Sequence, residues 1–95
     1  MMDDFFEWNP EKAEANLKKH GVSFEEAASV FYDPLSLTIP DIIHSDEENR
    51  FIIIGLSDNQ QQLVVAHTDR GDKIRIISAR LATPREKRIY ERENE

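Results

Sequence analysis

Cysteine is absent from this 95-residue chain, and that one omission removes disulfides, thiolate zinc sites and cysteine nucleophiles together. A reducing compartment is the expected setting. Glycine occurs only three times, too seldom for the loops that cradle nucleotide phosphates, which excludes most kinases, NTPases and dinucleotide oxidoreductases. No serine stands between glycines as a nucleophile elbow requires. Long apolar runs are missing as well. Nothing nears the ~20 residues that span a bilayer, and no apolar segment follows the acidic N-terminus in the manner of an export signal. A cytoplasmic protein without membrane association is expected. With no repeat and no Gly/Ser linker, residues 1–95 are expected to form one domain.

Positive charge is scarce overall. Twelve Lys/Arg face nineteen Asp/Glu, a net −7, which argues against indiscriminate binding to nucleic acid. The distribution is uneven, however. Residues 1–48 hold twelve acidic and three basic side chains, whereas Lys73 to Arg92 holds seven basic and two acidic ones, enough to grip a polyanion locally. The plain alternative is that Arg85, Lys87, Arg88 and Arg92 form the solvated face of a last helix.

The chain reads as α+β. Phe5, Phe6 and Trp8 suggest an edge strand or extended arm. Asn9-Pro10 caps a helix running to about His20, with Glu11 and Glu14 in its first turn, Lys18, Lys19 and His20 in its last, and Gly21 as its left-handed stop. Ser23 and Glu26 form a capping box for a second helix, whose face of Phe24, Ala27, Ala28 and Phe31 ends at Asp33-Pro34. Leu35, Leu37 and Ile39 then alternate in a strand closed by Pro40, and Asp41 to Asn49 is a polar loop. Phe51–Leu56, Leu63–Thr68 and Lys73–Arg80 are three strands with connections short enough for an antiparallel meander. Thr83-Pro84-Arg85-Glu86 opens a helix to about Arg92. The expected architecture is an N-terminal strand and helical hairpin packed on an antiparallel sheet of about four strands, plus a C-terminal helix, with the helices on one face.

The histidines His20, His44 and His67 match neither a helical metal pair nor a zinc-finger spacing, so no metal site is expected. His44, among Asp41, Asp46, Glu47 and Glu48, reads as part of a solvated loop. His67, alternating with apolar residues, reads as a hydrogen-bonded strand residue. His20, at a helix C-terminus, suits an acid or phosphate-binding role, or that of a cation that ends the helix. The remaining constellation is arginine. Arg75 and Arg80 lie on one strand, Arg70 in the turn before it, Arg85 and Arg88 in the helix after it, and guanidinium forks match phosphate oxygens. Strict alternation puts Arg75 and Arg80 on opposite faces of the sheet. They serve one site only if the strand bends or has ended before Arg80.

Two stretches carry a family resemblance. The first is Phe6-Glu7-Trp8-Asn9-Pro10-Glu11-Lys12, with Asn16 and Lys18-Lys19-His20-Gly21-Val22-Ser23-Phe24-Glu25-Glu26-Ala27. The second is Glu48 and Arg50 before a strand that reaches Gly55, then His67-Thr68, then Arg75-Ile76-Ile77-Ser78-Ala79-Arg80 with Ala82, Arg85, Glu86 and Tyr90. Together they resemble the BrnT family of bacterial toxins over almost the whole chain. Asn9 stands where that family commonly has Asp, which keeps the capping ability.

The resemblance implies a RelE-like fold and a ribonuclease toxin of a type II toxin–antitoxin pair. Its implied partner is a BrnA-like antitoxin, a ribbon-helix-helix protein through which alone the pair reaches operator DNA. Carried over by motif, Lys19, His20, Arg75 and Arg80 are the catalytic candidates, with Arg50, Arg70, Arg85 and Arg88 as RNA-binding residues. Cleavage would be metal-independent and need no cofactor, because the RNA's own 2′-hydroxyl is the nucleophile. Messenger RNA is the expected substrate and translation the process inhibited. The alternative is a non-enzymatic interaction module that binds a small DNA-binding partner and acts in autoregulation.

Overall fold

A computed structural model describes residues 5–46 and 48–94, so Glu47 of the acidic loop lies outside the described residues. The elements are β1 (Phe6–Glu7), α1 (Pro10–His20), α2 (Phe24–Ser29), β2 (Leu37–Pro40), β3 (Arg50–Leu56), β4 (Gln62–Arg70), β5 (Lys73–Leu81) and α3 (Pro84–Glu93). Local chemistry sets most of the boundaries. The Asn9 side chain accepts from the amides of Glu11 and Lys12 at 2.8 and 3.1 Å, and Gly21 at φ 71° ends α1 by donating to the Leu17 carbonyl. Ser23 Oγ accepts from the Glu26 amide at 3.0 Å, but the reciprocal half of that capping box is missing. The Glu26 carboxylate instead accepts from Ser57 Oγ at 2.6 Å and Gln61 Nε2 at 2.9 Å, tying α2 to the β3–β4 turn. α2 is shorter than expected and continues as a single 3-10 turn, Val30–Tyr32.

The sheet is α+β as expected, with five strands in the order β1-β5-β4-β3-β2. The fifth is β1, which joins β5 in parallel through Phe6↔Ile74 and Glu7↔Arg75. Because β1 is two residues long, β5 has no strand neighbour beyond Arg75 on that side. The buried Asn16 amide fills the gap. Its Nδ2 donates to the Ala79 carbonyl at 2.8 Å, and its Oδ1 accepts from the Ala79 amide at 3.1 Å. A second Nδ2 bond, to the Val22 carbonyl at 3.0 Å, holds the α1–α2 connection. A polar side chain thus satisfies backbone groups that burial would otherwise leave orphaned.

One face of the sheet carries the main core. Phe6, Val22, Phe24, Ala27, Val30, Ile53, Leu63, Val65, Ile76 and Ala79 pack together with α1 and α2 over them. Phe24 is fully buried, edge-on to Trp8 with centroids 5.9 Å apart, and burial of a side chain of that size contributes about 2–3 kcal/mol. The third helix does not share that face, contrary to the expectation of helices on one side. Ile54 and Val64 alternate with Ile53, Leu63 and Val65, and α3 covers them through Ala82 and Tyr90. The reason lies in the continuous apolar runs of β3 and β4, which need cover on both sides. Tyr90 is anchored by donating to Asp33 Oδ2 at 2.7 Å, an oxygen that also accepts from the Leu56 amide at 2.8 Å. Burial and this bond push the Tyr90 hydroxyl up to about 12. Burial works to raise Asp33, but the bonds from Tyr90, Leu56 and Leu35 outweigh it and lower the carboxyl.

His67 departs from its expected role as a hydrogen-bonded strand residue. It is buried between the rings of Phe31 and Phe51, at centroid distances of 4.7 and 5.8 Å, and neither ring nitrogen has a partner among the described residues. Burial lowers its pKa, with the nearby Asp69 charge opposing.

Candidate active site

The decisive local feature is a β-bulge. Between β4 and β5 the pairing runs Val65↔Ala79 and Ala66↔Ser78, then jumps to His67↔Ile76, leaving Ile77 as an extra residue in β5. Side chains of a strand alternate, so one inserted residue reverses the alternation beyond it. Ile74 and Ile76 face the main core before the bulge, and Ala79 faces it after. Arg75 and Arg80, five residues apart, therefore lie on the same face.

That face also receives Arg50 and Arg70. Arg50 pairs with Thr68, Thr68 with Arg75, and Arg75 with Glu7, so one row crosses four strands. Arg80 stands beside Val64, four residues along β4 from Thr68, which is roughly 13 Å at strand rise. The side chains of Arg50 and Arg80 close much of that distance. Both line one recess of about 260 Å³ with Asp41, His44, Ala66 and Ser78. A neighbouring recess of about 590 Å³ runs from Arg50 and His44 towards Asp46 and Glu48. Arg50 and His44 thus stand at the junction of one groove.

Every arginine in the groove has a carboxylate near it. Arg80 makes a two-pronged contact with Glu86, Nη1 to Oε1 at 2.7 Å and Nη2 to Oε2 at 2.8 Å. Glu86 Oε1 also accepts from the Thr83 amide at 2.8 Å, completing the capping box that starts α3. The hydrogen bond to Arg80, assisted by the Thr83 amide against desolvation, pulls Glu86 down to about 2, and the same pair raises Arg80. Arg75 Nη1 donates to Glu7 Oε2 at 2.7 Å. The other contacts are longer. Arg70 lies 3.9 Å from Glu7 and 3.7 Å from Glu48, and Arg50 Nε lies 3.8 Å from Glu48. Arg50 Nε is buried and has no hydrogen-bond partner among the described residues.

The mouth of the groove holds a second polar pair. His44 Nδ1 lies 2.8 Å from Asp41 Oδ2. The loop expected to be only polar contains a 3-10 turn, Ile42–His44, a geometry that eclipses residues three apart and so faces Asp41 to His44. The turn is pinned to β3, because the Asp41 amide donates to the Arg50 carbonyl at 2.8 Å and the Arg50 amide to Ser45 Oγ at 2.9 Å.

Residues 8–86 match the family model described as the ribonuclease toxin BrnT of type II toxin–antitoxin systems. The chain belongs to the BrnT family. The fold agrees with a solved structure, the Brucella abortus ribonuclease toxin BrnT, at a TM-score of 0.62 and 22% identity, covering 80% of this chain and 92% of that one. No curated protein matches.

In this BrnT-family chain the expected site residues separate into three groups. Arg50, Arg70, Arg75 and Arg80 share the open face. Arg85 and Arg88 are exposed on α3. Lys19 and His20 occupy the last turn of α1, three and four residues after Asn16, which bonds the edge of β5 at Ala79. No hydrogen bond or ion pair joins either to the groove arginines among the described residues. Asp41 and His44 escaped the sequence reading, although an Asp-x-x-His spacing was there to see. The spacing acquires meaning only once the loop is known to turn as a 3-10 helix. No group of three or more His, Asp or Glu that could hold a metal ion occurs among the described residues, and none of their helices is long and apolar enough to cross a membrane.

Proposed function

We propose that the arginine groove binds single-stranded RNA and cleaves it by attack of the 2′-hydroxyl, without a metal ion. The observation that carries this reading is the bulge at Ile77, which turns Arg80 to the side of Arg75, Arg70 and Arg50. Arg80 and Arg50 seat the scissile phosphate. Arg75, in the same cross-strand row as Arg50 and about 13 Å along the sheet from Arg80, and Arg70, two residues beyond that row on β4, bind adjoining phosphates. Preorganised guanidinium groups stabilise the extra charge of the phosphorane, an effect worth about 10²–10³ in rate for one donor. Glu86, Glu7 and Glu48 hold the guanidinium forks in place and yield them to phosphate when RNA enters. This reading gives Lys19 and His20, in the last turn of α1, no chemical step, and Arg85 and Arg88 extend the positive surface.

In a cell this activity would act on messenger RNA and inhibit translation. A BrnA-like ribbon-helix-helix antitoxin would neutralise it and bring the pair to operator DNA. A cytoplasmic, single-domain protein fits that role.

The test is cleavage of a defined RNA in excess EDTA. The expected products carry a 2′,3′-cyclic phosphate and a 5′-hydroxyl, a 2′-deoxy substitution at the cleaved linkage blocks the reaction, and Arg80→Ala lowers kcat/KM at least a hundredfold. Undiminished cleavage and toxicity in Arg80→Ala would remove that residue from the site. One observation favours a second reading, that of a docking module without chemistry: each groove arginine already has a carboxylate partner. Binding of a partner without RNA cleavage or growth arrest would select it.

A further inference from the structure

We infer that His44, oriented by Asp41, is the general base of the groove, a role that rests on the ribonuclease reading above. The geometry supplies three requirements at once. His44 lines both recesses and meets Arg50 at their junction, so a phosphate held by Arg50 and Arg80 places its ribose within reach of the imidazole. His44 Nδ1 donates to Asp41 Oδ2 at 2.8 Å, which in the neutral ring leaves the lone pair on Nε2, the nitrogen a base must present. Asp41 is itself immobilised: its side chain is 12% exposed against 64% for His44, its amide bonds to the Arg50 carbonyl, and its carbonyl accepts from Ser45 Oγ at 2.6 Å. A mostly buried carboxylate behind an exposed imidazole is the arrangement by which a third group aims a base at its proton.

The step balances within these groups. Nε2 takes the 2′-hydroxyl proton as that oxygen bonds to phosphorus. The bond from phosphorus to the 5′-oxygen breaks, its electron pair stays on the departing oxygen, and a water molecule protonates it. The imidazolium neutralises the resulting hydroxide, which returns the enzyme to its starting form. Asp41 is a positioning residue throughout.

The experiment measures cleavage of a defined RNA across pH by wild type, His44→Ala, His44→Gln and Asp41→Asn, with equal folding checked by thermal unfolding. We expect His44→Ala to lose about 10²–10⁴ in kcat with KM little changed. The acidic limb of the pH–rate profile disappears in that variant, and added imidazole restores part of the rate. Asp41→Asn loses at least tenfold in kcat and keeps the limb. Wild type that cleaves while His44→Ala stays within threefold of it overturns the assignment and leaves the arginine groove standing. So does a deficit in His44→Ala that imidazole does not relieve and His44→Gln repairs. Wild type that cleaves no RNA overturns the groove reading and this inference with it.

Discussion

Glu86 serves both the fold and the groove, and Glu86→Gln separates the two. Glutamine retains the side-chain oxygen that a capping box needs at this position, so the Thr83 contact survives while the charge facing Arg80 is removed. The carboxyl sits at about 2 instead of its ordinary 4.5, first because Arg80 hydrogen-bonds to it. By linkage a displacement of that size sets a ceiling of roughly 3 kcal/mol on what ionised Glu86 adds to stability. The Arg80 side chain is still 41% exposed, and solvent screening reduces the expectation to about 1–1.5 kcal/mol. For a domain of this length that corresponds to a fall in Tm of about 5–10 °C.

The pH dependence follows from the direction of the shift. A carboxyl lowered in the folded state contributes fully above its unfolded value, and the contribution is lost as pH falls through 4.5 towards about 2. Urea unfolding of wild type, Glu86→Gln, Arg80→Met and the double variant, from pH 7 to pH 2, is the assay. The wild-type and Glu86→Gln curves should be separated at neutral pH and meet near the acid end. At neutral pH the four variants should give a coupling of about 1 kcal/mol. A gap that stays constant down to pH 2, or a coupling of zero, would refute the assignment of this stability to the ion pair.

Three further outcomes are expected. Asn16→Leu strips the Ala79 amide and carbonyl and the Val22 carbonyl of their partner; it should cost about 2–4 kcal/mol and speed hydrogen exchange at Ala79. Gly55→Ala places a methyl group 2.8 Å from Val30 Cγ1 and 3.1 Å from Ser36 Cβ, and overpacking of that kind should cost about 1–3 kcal/mol in chemical unfolding. His67, held neutral by burial, binds its proton more readily in the unfolded chain. Stability should therefore decline as pH drops below about 6.5, by at most about 1.4 kcal/mol per pH unit, and His67→Phe should flatten the decline.

Much of the fold was legible because its signals are local. A cap is a bond between residues two to four apart, so Asn9, Gly21, Ser23 and Thr83 announced their helix ends. A strand's period is visible within six residues, so β3, β4 and β5 were readable with their short connections. Three departures involve partners distant in the chain. Glu26 left its capping box for Ser57 and Gln61. Asn16 does the work of a missing strand at Ala79. The final helix crossed to the far face because Ile54 and Val64 needed cover there.

The candidate site divides along the same line. The arginines, their basic C-terminal setting and the family motifs are properties of the chain, and composition and order alone determined them. Whether those arginines could meet was decided by the register of β5 on β4. The adjacent pair Ile76-Ile77 interrupts the alternation and hints at a bulge, but a bulge is defined by its partner strand, and only pairing with His67 leaves Ile77 over. The fold likewise decided that Asp41 and His44 would turn towards Arg50. Periodicity and capping depend on neighbours a few bonds away, whereas the side of a sheet on which a residue emerges depends on hydrogen bonds to strands that the local sequence does not specify.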